Sequence, residues 1–244
     1  MEDKILISNI EGKIAHTQRY SVVTHTNFLD PYQVTVIRTT KGTNHYFFGG
    51  YEGAERKMLF FLPEYLDEPE IDQYVKLITV TPQNAEGLGH RDYLGSILGL
   101  GIKRDKIGDM IVHDDSCDFF VMADIAEYIA SNLDKVARMR VKCEIKLIDA
   151  LRPPTSNAEA IRIIVASLRL DCIIAGVYKL SRNEAASLIT AKKVHVNWQV
   201  VEDISKQVKE GDMISLRGKG RFTMQSITGN TKKGNLVLEC LKNG

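Results

Sequence analysis

The 244-residue sequence has no apolar run of the roughly 18 to 20 residues that a membrane-spanning helix requires. Its first residues, Met1-Glu2-Asp3-Lys4, are charged and lack the apolar stretch of a secretion signal, so a cytoplasmic protein with no membrane partner is expected. Cysteine is sparse. Cys117, Cys143, Cys172 and Cys240 stand far apart with no CxxC pair, which argues against a structural zinc site. In a reducing compartment four such thiols act as small apolar residues. No GxxxxGK[ST] phosphate loop and no GxSxG elbow occurs. Gly87-Leu88-Gly89 and Gly99-Leu100-Gly101 each begin a dinucleotide fingerprint but lack its third glycine. His113-Asp114-Asp115 falls at a turn, where solvated carboxylates are expected, and His90 caps or opens a helix. These absences remove the usual supports for catalysis, so no catalytic residue, cofactor, metal or small-molecule substrate is expected.

Net charge is nearly absent as well, at +1, but it is unevenly spread. Residues 1–150 hold 17 Lys and Arg against 23 Asp and Glu, whereas residues 151–244 hold 15 against 8. A neutral chain with one basic end presents a candidate surface for a polyanion there. With 44% hydrophobic residues, the chain can fill one large domain or two to three small ones.

Residues 1–72 begin with a polar, helical stretch that Phe28-Leu29-Asp30-Pro31 breaks, because proline disfavours helix in the residue before it and can open a new one. A second helix is predicted over about Tyr32 to Arg38. The aromatic runs His45–Phe48 and Met58–Phe61, separated by Gly49-Gly50, predict paired strands. In residues 73–152, the spacing predicts strands at Val75–Thr81, Asp109–His113, Asp118–Met122 and Val141–Leu147, with helices at His90–Leu98 and Ala123–Val136. The order β-α-β-β-α-β is the ferredoxin-like plan that RNA recognition motifs share. Phe119 and Phe120 occupy the strand that carries base-stacking aromatics in those motifs, but the basic and glycine residues of that signature are missing, so core packing is expected. Arg152–Asn157 reads as a linker, followed by a strand at Ile161–Ala166.

From Leu168 a different unit is predicted. Leu170, Ile173, Ile174 and Val177 fall on one helical face. Ser181-Arg182-Asn183-Glu184 is a capping box that opens a second helix, with Ala185, Leu188 and Ile189 facing the first. Val194–Val196, Met213–Leu216 and Arg221–Met224 predict a small sheet joined by turns at Asn197-Trp198, Gly211 and Gly218-Lys219-Gly220.

Four blocks here, Arg169-Leu170-Asp171, Ser181-Arg182 with Ala185 and Ile189, Val194-His195-Val196-Asn197, and Val208-Lys209-Glu210-Gly211-Asp212, resemble the S-four RNA-binding domain, a module named after a small-subunit ribosomal protein. That family has Gly where this sequence has Trp198. Trp198 can stack on a base or pack, and packing is expected. Further blocks extend the likeness over essentially the whole chain: Phe28-Leu29-Asp30-Pro31, Gly49-Gly50-Tyr51 with Ala54-Glu55-Arg56-Lys57, Gly87–Gly95, and Arg104-Asp105-Lys106-Ile107-Gly108-Asp109. With these the sequence resembles the bacterial YlmH family. The resemblance implies an α+β protein of three parts: an N-terminal α/β unit (1–72), a ferredoxin-like, RRM-like domain (73–152) and an S-four-type RNA-binding domain (160–244). It also implies association with ribosomal RNA and tRNA on the large ribosomal subunit during rescue of stalled nascent chains, and family members are often encoded near cell-division genes.

Within the basic end, Lys192, Lys193, Lys219 and Arg221 can neutralise phosphates. Arg182 sits where helix amides already favour a phosphate and can grip it bidentately. Asn197 can read a base edge or a 2′-hydroxyl. Ser181 joins them at the helix start. The alternatives are an RNA-modifying enzyme, since some pseudouridine synthases combine an S-four domain with a catalytic Arg-Leu-Asp, and a division-associated scaffold. Against the enzyme, Arg169-Leu170-Asp171 lies inside the binding module.

Overall fold

The polar N-terminal stretch forms α1 (Glu2–Tyr20) in a computed structural model that describes residues 2–38, 44–153 and 158–243. Leu6, Ile10 and Ile14, spaced four apart on one side of α1, supply its buried stripe. Strand β1 (Thr24–His25) follows. Pro31 takes the first position of α2 (Pro31–Arg38). Asp30 closes that end, because its Oδ1 accepts from the Gln33 amide at 2.8 Å while Gln33 Oε1 accepts from the Asp30 amide at 2.9 Å. The aromatic runs become β2 (His45–Phe48) and β3 (Met58–Phe61), and the three strands pair antiparallel in the order β1-β3-β2.

The central segment runs β4 (Val75–Pro82), α3 (His90–Gly99), β5 (Ile107–Val112), β6 (Cys117–Met122), α4 (Ala123–Asn132), β7 (Lys135–Val136) and β8 (Met139–Lys146). Its sheet order, β5-β6-β4-β8-β7 with every neighbour antiparallel, is the ferredoxin-like arrangement extended by the two-residue β7. Helix α4 stops four residues earlier than its apolar spacing predicts. Leu133 and Val136 are buried as expected, Leu133 at the C-cap of α4 and Val136 in a β7–β8 hairpin whose turn places Ala137 at φ 52°. The α3 cap is supplied by Asp92, whose Oδ2 accepts from the Gly89 amide at 2.9 Å, not by His90. The Asp118 carboxylate is 1% exposed and accepts from Thr79 Oγ1 at 2.6 Å, with His113 Nε2 at 3.1 Å. Asp114 and Asp115 are exposed, as the turn implies.

Both phenylalanines of β6 are fully buried, on opposite faces. Phe119 packs with Ile78, Val80, Tyr93, Ile97 and Ile129 under α3 and α4. Phe120 lies on the other face, against Phe28, Met58, Phe60 and Leu62 from the N-terminal segment together with Leu77 and Met122. The part of the sheet that RNA recognition motifs leave open for stacking is therefore covered, which rules out base stacking on Phe120. Two glycines permit this close cover. Gly50 has φ +104°, and a Cβ there would lie 2.4 Å from the Phe120 ring; one on Gly108 would lie 2.7 Å from the Phe28 ring.

The two blocks Gly49–Lys57 and Arg104–Asp109 meet at this seam. Asp109 accepts from Tyr51 Oη at 3.1 Å and from the amides of Glu55 and Arg56 at 2.7 and 3.0 Å. Arg56 donates to the carbonyls of Ile107 and Phe28, both at 3.0 Å, and Arg104 to that of Ile107 at 2.6 Å. Burial, and after it the neighbouring Arg56 charge, holds the Arg104 guanidinium down at about 10. These motif residues fasten the N-terminal segment to the ferredoxin-like sheet.

The chain folds as two compact units, Met1–Thr155 and Ser156–Gly244. Of the linker read at Arg152–Asn157, Pro154 to Asn157 lie outside the described residues. Arg152 itself is tied into the first unit, with Nη1 donating to Asp115 at 2.9 Å and Nη2 to Ser116. The second unit contains β9 (Ala158–Val165), α5 (Leu170–Tyr178), α6 (Arg182–Thr190), β10 (Val194–Val196), β11 (Gln199–Val200), β12 (Met213–Leu216), β13 (Gly220–Asn230) and β14 (Leu236–Asn243). One sheet of order β11-β10-β12-β13-β14-β9 packs its inner face on α5 and α6. Strand β9 pairs along all of β14 and so belongs to the sheet of this unit, ahead of Leu168.

Candidate nucleic-acid interface

Helix α5 buries Leu170, Ile173, Ile174 and Val177, the face its spacing predicts, and ends at Lys179 with φ 54°. That left-handed residue turns the chain into α6. There Ser181 Oγ accepts from the Glu184 amide at 3.2 Å and Glu184 Oε2 accepts from the Ser181 amide at 2.8 Å. Ser181 thus serves the cap, and the cap fixes Arg182 as the first residue of the helix. The Ser181 hydrogen bonds, backbone first, hold the Glu184 carboxyl below its usual value, with a smaller contribution from the Lys219 charge.

Arg182 is anchored by Asp171. Its Nη2 and Nε lie 2.7 and 3.3 Å from Asp171 Oδ2, and Arg169 Nε donates to Asp171 Oδ1 at 3.1 Å. Asp171 is 3% exposed, whereas the side chains of Arg169 and Arg182 are 38% and 58% exposed. One buried carboxylate therefore orients two guanidiniums whose outer edges face solvent, and a unit of positive charge is left over. Arg182 retains N–H donors beyond those given to Asp171, in the planar fork that suits a phosphate.

The other named residues fall in two places. Lys193 is exposed, and its carbonyl accepts from the Arg217 amide at 2.9 Å, so the Lys193 segment runs beside the β12–β13 turn that carries Arg217 and Lys219. Lys192 has φ 57° and pairs with Glu202 at 3.0 Å. Arg221 is half-buried on β13, opposite Ser215. Asn197 stands at the far end of β10. Its Nδ2 donates to Asp212 at 2.8 Å and its Oδ1 accepts from the Met213 amide at 2.9 Å, so it pins a turn. Trp198, expected to pack, is instead 38% exposed at the tip of that turn.

Sequence reading misses Arg169 as a member of the cluster, although its block is visible, and it also misses Lys242. Lys242 Nζ sits 5.6 Å from the centroid of the Tyr178 ring. Only the register of β14 on β13, which opposes Lys242 to Phe222, brings it there.

Asp171 also gives the unit a pH signature. Burial alone would raise its carboxyl, but hydrogen bonds from Arg169 and Arg182 and their charges outweigh that and hold it at about 2, against an ordinary 3.8. A folded-state value below the unfolded one means that the stabilisation is fully present above about pH 4 and is lost as pH falls through about 2. It amounts to about 2 kcal/mol. Acid titration followed by tryptophan fluorescence should show this loss between about pH 4 and 2. In Asp171→Asn the step should be absent and the starting stability lower. An unchanged acid transition in the variant would refute the assignment.

Two helices on a small sheet, with cationic side chains gathered about the start of the second helix, define a protein of the S4 RNA-binding class. Residues 168–214 match the family described as "S4 domain", and residues 69–149 match that described as "Putative RNA-binding domain in YlmH". The chain is 36% identical over 212 residues to the "Ribosome-associated protein quality control protein P2" of Bacillus subtilis (strain 168), covering 85% of this chain and 82% of that protein. This chain belongs to the YlmH family. It shares its fold with the solved "Cell division protein ylmH from Streptococcus pneumoniae", at a TM-score of 0.54 and 20% identity, over 61% of this chain and 93% of that one.

Proposed function

We propose that this protein is a non-enzymatic, cytoplasmic RNA-binding factor that engages ribosomal RNA and tRNA on the large ribosomal subunit and acts in rescue or quality control of stalled nascent chains. The observation that carries the RNA-binding reading is the Arg169–Asp171–Arg182 arrangement, with Lys193 and Lys219 around the same helix. It offers oriented charge to a phosphate backbone, and such contacts position a protein without reading sequence. The ribosomal part of the proposal draws on the name of the Bacillus subtilis relative.

The same geometry favours binding over pseudouridine-type catalysis. Both carboxylate oxygens of Asp171 are occupied by arginines and the residue is buried, which leaves it poorly placed to touch a base. In this reading segment 160–244 binds, segment 73–152 is the frame, and segment 1–72 covers the sheet face around Phe120. The test is sedimentation of the full chain with purified ribosomal particles on sucrose gradients at low salt. Travel with large subunits, increased when the particles still hold tRNA, is expected. Failure to co-sediment with stalled complexes at any salt would end the ribosomal reading. Appearance of a modified nucleoside in rRNA or tRNA after incubation, read by mass spectrometry, would end the non-enzymatic one.

A further inference from the structure

The turn that joins β10 to β11 has two residues, Asn197 and Trp198, with φ 49° and 66°. Two-residue hairpin turns of this kind require left-handed backbone at both positions and strongly prefer Asn followed by Gly. Asn197 conforms to that preference. Trp198 does not, since a bulky side chain is rarely held in that conformation, and residues kept there against preference concentrate at functional positions. Its indole is not among the buried residues that form the core of the second unit and is 38% exposed. The turn beneath it is rigidly held: Asn197 is bonded to Asp212 and to the Met213 amide, and Asp212 Oδ2 accepts from the Lys209 amide at 2.8 Å.

The register of the sheet supplies the surroundings. Val200 opposes His195, His195 opposes Ser215, and Ser215 opposes Arg221, so these four form one row across β11, β10, β12 and β13. The intervening residues Val194, Val196, Ile214, Leu216 and Phe222 are buried on the inner face, which places the row on the outer one. Val200 is 50% exposed. An exposed indole at the hairpin edge, in a unit rich in basic residues and beside an outer face that carries Val200, His195 and Arg221, is a surface on which an unpaired base can stack.

We propose that Trp198 stacks on an unpaired nucleobase and gives this protein a preference for looped over fully paired RNA. The inference rests on the RNA-binding reading above. The excess of basic residues in this unit favours RNA over an apolar protein partner for the same edge.

Trp198 is the only tryptophan in the sequence, so its fluorescence reports the contact directly. The full chain would be titrated with two fluorescein-labelled RNAs, a stem-loop with an unpaired adenosine loop and a blunt duplex of the same length. Anisotropy reads binding, and tryptophan emission is read on unlabelled copies of the same RNAs. The stem-loop should quench the emission strongly and the duplex should not. Trp198→Gly, which restores the residue the turn prefers, should melt no lower than wild type. It should lose about fivefold to about a hundredfold in affinity for the stem-loop, the range set by one stacked base, while its affinity for the duplex stays within about twofold. Trp198→Phe should retain most of the stem-loop affinity. Binding of the stem-loop without quenching, or equal losses on both RNAs, overturns the stacking role, leaves RNA binding intact and assigns the indole to structure or to a protein partner. Failure of the wild type to bind either RNA defeats the RNA-binding reading and the proposal with it.

Discussion

Asp109→Ala should destabilise the first unit by about 3 to 5 kcal/mol, lowering its Tm by on the order of 10 °C. The carboxylate is the joint acceptor for the Glu55 and Arg56 amides and the Tyr51 hydroxyl. Removing it strips partners from three donors at once and takes a negative charge from beside Arg56 and Arg104, both partly desolvated. An uncompensated charge near a buried seam costs more than the pair it came from contributed. Asp109→Asn should be intermediate, because its amide oxygen can still accept from Tyr51 and the Glu55 amide while its NH2 then faces the Arg56 N–H. The two units can be followed separately. The sole tryptophan lies in the second unit, so its fluorescence reports that unit, whereas far-UV circular dichroism reports both. The variant should shift part of the dichroism transition and leave the fluorescence transition in place. An unshifted dichroism transition would mean that the seam contributes little.

That seam marks one limit of what the sequence conveys. The blocks Phe28–Pro31, Gly49–Lys57 and Arg104–Asp109 are conspicuous as motifs and invite a functional reading, yet the structure joins them into a fastening between the N-terminal segment and the central sheet. Nothing local reveals this, because Arg56 and its partners Phe28 and Asp109 are separated by 28 and 53 residues along the chain. By contrast, elements whose signals are local are legible. The Leu170, Ile173, Ile174, Val177 stripe, the Ser181–Glu184 capping box and the β-α-β-β-α-β order all appear where period and cap chemistry put them. The long β13–β14 hairpin is hidden for a different reason. Register shifts at Met224/Ser226 and Ile227/Gly229 interrupt the alternation on which strand recognition depends. Trp198 shows a third limit: hydrophobicity suggests burial, but a two-residue turn leaves its tip no core to enter. At the candidate site, Arg182, Lys193 and Lys219 are accessible from motif and charge, whereas the pairing of Arg169 and Arg182 through Asp171 needs coordinates.

The double variant Arg182→Ala plus Lys193→Ala should move the protein from the large-subunit fractions to the top of a sucrose gradient at moderate salt. Each phosphate neutralised contributes roughly 0.7 to 0.9 to the slope of log affinity against log salt. Loss of two such contacts should therefore flatten the slope by about 1.4 to 1.8 and weaken binding by about tenfold to a hundredfold near physiological salt. Wild type and variant should converge as salt rises, since the contacts removed are those that salt already suppresses. Arg182 needs its own control, because its loss also leaves Asp171 with Arg169 alone. Arg182→Lys keeps the charge but not the planar fork, so it should retain the salt slope while binding less tightly than wild type. Asp171→Asn, measured on the same gradients, separates orientation from charge: it leaves both arginines present but loosens their hold, and a clear loss of co-sedimentation there would make the carboxylate a positioning group for the cationic pair. If the double variant travels with large subunits as well as wild type at every salt, the surface that carries Arg182 and Lys193 is not the RNA-binding face, and the contact must lie on other basic residues of the second unit.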